Sequence, residues 1–88
     1  MKRYEISKDL VLREDKKEKW VFNIDRGDIL KINDAGFLIL KTCQNKSSEL
    51  EILEALKKSY PKEDIKKLSK DTKKFLKKLV KLKLIKVF

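Results

Sequence analysis

The sequence predicts an α+β domain of winged helix-turn-helix-like architecture, a three-stranded antiparallel β-meander followed by three α-helices. Three observations carry that prediction. Up to Ile32, apolar residues alternate in short runs, the period of half-buried strands. From Asp34 onward they recur every three or four residues, the period of helices. Between the two regimes, Asn33-Asp34 separates Ile29-Leu30-Lys31-Ile32 from Ala35-Gly36-Phe37-Leu38-Ile39-Leu40. The second segment is apolar on nearly every side, so the rest of the chain must cover it.

The strands come first. Leu10-Val11-Leu12 opens the meander, and the charged run Arg13 to Lys19 suits an exposed hairpin loop. Trp20-Val21-Phe22-Asn23-Ile24 alternates, which predicts Trp20, Phe22 and Ile24 together on the core face. A base-stacking role for Trp20 and Phe22 is the weaker reading. Asp25-Arg26-Gly27-Asp28 has the composition of a tight turn, and Asp28 to Ile32 forms the last strand, at an edge.

Helix one is predicted from Asp34 to Thr42, with Phe37, Leu38 and Leu40 in the core. Ser48-Glu49-Leu50-Glu51 has the form of a capping box and starts helix two, which ends at Ser59 before Tyr60-Pro61. Its inner face reads as Leu50, Ile52, Leu53 and Leu56. Helix three runs from Glu63 to Leu82. Ile65, Leu68, Thr72, Phe75, Leu76, Leu79, Val80 and Leu82 form one arc, and lysines fill the opposite one. Leu84-Ile85-Lys86-Val87-Phe88 is too apolar for a frayed tail and should dock, as a short strand.

Eighty-eight residues with 41% apolar content predict one domain spanning 1–88, with one modest core. The single cysteine, Cys43, excludes a disulfide framework and reads as a small core residue. With no histidine, neither a zinc site nor the commonest general base is expected. Glu49, Glu51 and Glu54 are surface and cap residues of helix two, so no catalytic carboxylate pair is evident. The expectation is a protein without enzyme activity, metal or cofactor. No segment reaches the ~18 apolar residues of a membrane span, and no signal peptide opens the chain, which predicts a cytoplasmic protein. Arg26-Gly27-Asp28 and Asn45-Lys46-Ser47 accordingly read as loops, not as integrin or glycosylation signals.

The net charge of +10 is uneven. Residues 1–44 hold 10 Lys/Arg against 8 Asp/Glu, and residues 45–88 hold 14 against 6. The positive field therefore belongs to the C-terminal helices and favours an acidic partner, peptide or nucleic acid.

Leu30-Lys31-Ile32-Asn33-Asp34-Ala35-Gly36, Phe37-Leu38-Ile39-Leu40, Ser48-Glu49-Leu50-Glu51-Ile52 and Phe75-Leu76-Lys77-Lys78-Leu79 leading to Leu84-Ile85 resemble the PqqD-like family. That family is named for the pyrroloquinoline quinone biosynthesis protein D, and the resemblance spans residues 9–86. One departure is Lys83, where family members often carry glycine. The resemblance implies a recognition element for the leader of a ribosomally made precursor peptide. The leader would add as a strand between the third strand and the third helix. The module would then present it to a modifying enzyme, a radical S-adenosylmethionine enzyme or a leader protease. Carried over by position, Asp28, Ile29, Leu30, Lys31 and Ile32 would pair with the leader. Ser69, Lys73, Leu76, Lys77 and Val80, on one margin of helix three, would form the other wall. The opposite margin, near Asp71 and Phe75, is the alternative. Monomer and strand-exchanged homodimer both stay open.

The rival class is a winged-helix DNA-binding protein, which the fold and charge would suit. Against it, helix two carries Glu49, Glu51 and Glu54, which would repel phosphate. A recognition helix usually mixes Arg, Asn, Gln and Ser with its lysines to read base edges, though the lysines of helix three could still grip a backbone nonspecifically.

Overall fold

The computed structural model describes residues 2–88. Its elements are β1 (Arg3–Ile6), β2 (Leu10–Glu14), β3 (Lys19–Asn23), β4 (Asp28–Ile32), α1 (Asp34–Thr42), β5 (Ser47–Ser48), α2 (Glu49–Ser59), α3 (Ile65–Lys81) and β6 (Ile85–Val87). Strands β2, β3 and β4 form the expected antiparallel meander. A second sheet, in the order β5-β1-β6, gathers the two ends of the chain and the α1–α2 connection. Strand β1 was not anticipated; its partners, Ser47–Ser48 and Ile85–Val87, are remote in sequence. The C-terminal segment docks as expected, as β6.

Local chemistry fixes the helix starts. The Asn33 side chain accepts from the Gly36 N–H at 2.8 Å and caps α1. At α2 the capping box is complete: Glu51 N–H donates to Ser48 Oγ at 3.2 Å, and Ser48 N–H donates to Glu51 Oε1 at 2.9 Å. Arg3 adds a 2.9 Å ion pair to Glu51, tying β1 to this cap. Helix α3 ends in a Schellman motif. Leu84 N–H donates to Leu79 O at 2.9 Å and Lys83 N–H to Val80 O at 3.0 Å. The motif needs a left-handed residue after the helix, and Lys83 supplies it with φ 63°. The position where the family often has glycine is thus the one where backbone geometry favours it.

The core is built from Leu40, Ile52, Leu56, Leu76 and Leu79 of the helices, with Val21, Tyr4 and Ile85 from the strands. Helix α1 is central: Phe37, Ile39 and Leu40 are buried, and Leu38 packs partly buried against the core. Three expectations need correction. The core face of β3 carries Val21, not Trp20, Phe22 and Ile24; Trp20 and Phe22 are half-buried and Ile24 is 68% exposed. Register explains this. Val21 lies opposite Leu12 and Leu30, beneath the helices, whereas Phe22 lies opposite Val11 and Ile29 on the outer face. Leu50, in the first turn of α2, points outward rather than into the core. Ile65 and Leu82, at the ends of the α3 arc, are also exposed.

Candidate functional site

Strand β4 pairs with β3 on one side only, so its other edge is open among the described residues. Neighbouring bonds fix which backbone groups face that edge. Ile24 N–H donates to Asp9 O at 2.9 Å, toward the β2 side, and Gly27 N–H donates to Asn23 O at 2.7 Å, on the β4 side. Asn23, Val21 and Lys19 therefore direct their backbone groups at β4. The antiparallel register pairs them with Asp28, Leu30 and Ile32. By alternation, the N–H and C=O groups of Ile29 and Lys31 point to the free edge. Their side chains lie on the outer face, where Lys31 Nζ pairs with Glu18 at 2.7 Å.

Beside this edge runs α3, antiparallel to β4. At the start of β4, Asp28, Ile29 and Leu30 share a cavity of about 310 Å³ with Leu82 and Leu84. In the middle, Ile32 and the ring of Phe75 both approach Gly36. Beyond β4, Asn33, Asp34 and Ala35 share a second cavity, about 370 Å³, with Lys67, Leu68 and Asp71. The edge strand is thus flanked by an apolar-to-mixed tract, with Leu30 and Leu82 about half exposed, at 46% and 47%.

The α3 residues carried over from the resemblance lie elsewhere. Lys73, Leu76, Lys77 and Val80 line a groove of about 550 Å³ with Lys2, Tyr4, Glu49, Lys70, Lys74 and Val87, against the second sheet. Ser69 sits one turn earlier and is half-buried. Asp28 to Ile32 are brought together as one edge, but these five α3 residues do not face it; the Asp71–Phe75 margin does. The reason is the unanticipated β1, which with β6 occupies the other flank of α3.

Electrostatics support a preformed corner between strand and helix. Lys19 Nζ lies 3.1 Å from Asp34 Oδ1 and 3.6 Å from Glu14 Oε2, with the Phe37 ring centroid at 5.7 Å. The hydrogen bond to Asp34 raises the Lys19 pKa above its usual value. Burial pushes the Cys43 thiol up to about 11, so it is a poor nucleophile near neutral pH. Among the described residues no cluster of His, Cys, Asp or Glu could hold a metal ion. No helix among the described residues is long and apolar enough to cross a membrane.

Residues 18–85 match the family model for coenzyme PQQ synthesis protein D (PqqD). Among curated proteins, no sequence matches. Two solved structures share the fold. TbiB1 in complex with the TbiA(beta) leader peptide aligns at TM-score 0.78 and 21% identity, over 93% of this chain and 94% of that one. Lasso peptide synthetase B1 complexed with the leader peptide aligns at 0.76 and 11%, over 94% and 96%.

Proposed function

The chain belongs to the coenzyme PQQ synthesis protein D (PqqD) family, and we propose that it is a non-catalytic module that binds precursor leaders. It captures the leader of a ribosomally made peptide by strand addition to β4 and delivers it to a modifying enzyme. The observation that carries this reading is the open edge at Ile29 and Lys31 beside α3. Two structures of similar fold, each described as a leader-peptide complex, support it.

An extended leader laid along β4 satisfies the outward groups of Ile29 and Lys31, the usual currency of β-augmentation. Four such bonds, at ~0.5–1.5 kcal/mol each, fall short of the ~8 kcal/mol of micromolar binding. Apolar leader side chains supply the remainder by covering Leu30 and Leu82, at ~1.5–3 kcal/mol for each one buried. Because the tract holds Asp28, Asp34 and Asp71 beside Arg26 and Lys67, it does not demand an acidic leader. Asp28 to Ile32 remain the proposed pairing strand. Leu68, Asp71, Phe75 and Leu82 replace Ser69, Lys73, Leu76, Lys77 and Val80 as the proposed opposite wall.

The partner enzyme is of the class that acts on leader-bearing peptides, a radical S-adenosylmethionine enzyme or a leader protease. The test is a titration of the cognate leader into Ile29→Pro and Lys31→Pro variants, each shown to be folded by circular dichroism. Proline removes an N–H that has no partner among the described residues, so both variants should fold and lose at least tenfold in affinity. If both folded variants bind the leader as the parent does, strand addition at this edge is wrong.

A further inference from the structure

The second flank of α3, away from β4, carries a groove outside the leader tract proposed above. Its floor is apolar, formed by Tyr4, Leu76, Val80 and Val87. Five lysines and one carboxylate, Glu49, surround that floor. From Lys70 to Val80 the groove runs along about 15 Å of helix, the length of roughly three turns of a docked helix. Lys73 and Lys77 stand one turn apart on its wall, and none of the five lysines is in an ion pair among the described residues.

We propose that this groove docks an acidic amphipathic segment of the modifying enzyme, with apolar side chains on the floor and carboxylates on the lysine rim. The inference rests on the leader-delivery reading above. Charge complementarity identifies the occupant: unpaired lysines over apolar surface attract a chain that is both acidic and apolar. A second copy of this chain, at +10, would be repelled. Nucleic acid fits less well, since the one aromatic ring of the groove, Tyr4, is only 9% exposed and offers no stacking face. Glu49 also lines the groove and would lie beside a nucleic-acid backbone, whose phosphates, unlike the carboxylates of an amphipathic segment, cannot be spaced to avoid it. Placing leader and enzyme on opposite flanks of one helix lets both bind at once, so the leader is held beside the enzyme that modifies it.

The probe is a fluorescein-labelled synthetic helix of about four turns, with leucines on one face and glutamates on the other. Its scrambled isomer has the same composition without a face. Binding is read by anisotropy at ~150 mM salt, where distant surface charges are largely screened. The patterned peptide should bind at least tenfold more tightly than its isomer. Lys73→Glu with Lys77→Glu should weaken it at least tenfold. Lys16→Glu with Lys17→Glu, an equal charge change in the exposed β2–β3 hairpin loop, should leave it within twofold. A parallel titration of the cognate leader should be unchanged by the Lys73/Lys77 pair, and a saturating leader should not displace the probe. Equal binding of both isomers, or equal loss in the two charge-reversed variants, would overturn the proposal. Displacement by the leader, or tighter binding of duplex DNA with the same Lys73/Lys77 dependence, would overturn it too. Failure of the leader to bind the parent protein would instead count against the leader reading.

Discussion

Phe75 on α3 closes directly over Gly36 on α1: a Cβ at residue 36 would lie 2.8 Å from the Phe75 ring tip and equally close to Ile32. Glycine here is a requirement of close approach. It lets helix, helix and edge strand meet at the middle of the proposed leader tract.

Gly36→Ala should therefore destabilise the protein. Alanine gains ~0.5–1 kcal/mol of helix propensity, but overpacking between Phe75 and Ile32 costs ~1–3 kcal/mol. A net loss of about 1 kcal/mol should appear as a lower urea midpoint. Phe75→Leu in the Gly36→Ala background should recover part of it. If Gly36→Ala is more stable than the parent, the contact is not as tight as described.

Lys83 is the mirror case, a side chain where glycine would be easier. Its φ of 63° closes the Schellman motif that turns α3 into β6. Lys83→Gly should raise stability by about 1 kcal/mol, the relief of left-handed strain offset by unfolded-state entropy. Equilibrium denaturation measures it directly.

Stability should have a plateau bounded on both sides. Hydrogen bonds from Ser48 hold the Glu51 carboxyl below its ordinary value of 4.5, with help from Arg3. That contribution is present above pH 4.5 and is lost as pH falls through the lower folded value. Burial raises Cys43 from 9.0 to about 11 and also raises Tyr4. Their contribution is intact below the unfolded values and is lost as pH rises through the folded ones. Thermal melts from about pH 3 to 11 should fall off at both ends. Glu51→Gln should flatten the acid side, and Cys43→Ala the alkaline side.

The parts legible in the sequence were those fixed by neighbours. Helices α1 and α2 span the predicted residues because Asn33 and Ser48 cap them through bonds three residues away. The meander was legible from alternation, but alternation does not say which face is inward. Trp20 and Phe22 promised more burial than Val21, yet the inner face is the one whose neighbours, Leu12 and Leu30, sit beneath the helices. Strand β1 left only the short alternation Arg3-Tyr4-Glu5-Ile6, and its partners are set by tertiary pairing. The apolar arc of α3 has two margins, and without β1 and β6 on one of them nothing chose the margin that faces β4.

Strand addition to β4 is tested most directly by amide hydrogen exchange, read residue by residue by NMR with and without the cognate leader. In the free protein, the amides of Ile29 and Lys31 face the open edge and should exchange fast, while that of Leu30 is held by β3. Saturating leader should slow Ile29 and Lys31 by at least tenfold and leave Lys73 and Lys77 unchanged. A leader that binds without protecting Ile29 or Lys31 would contradict the account.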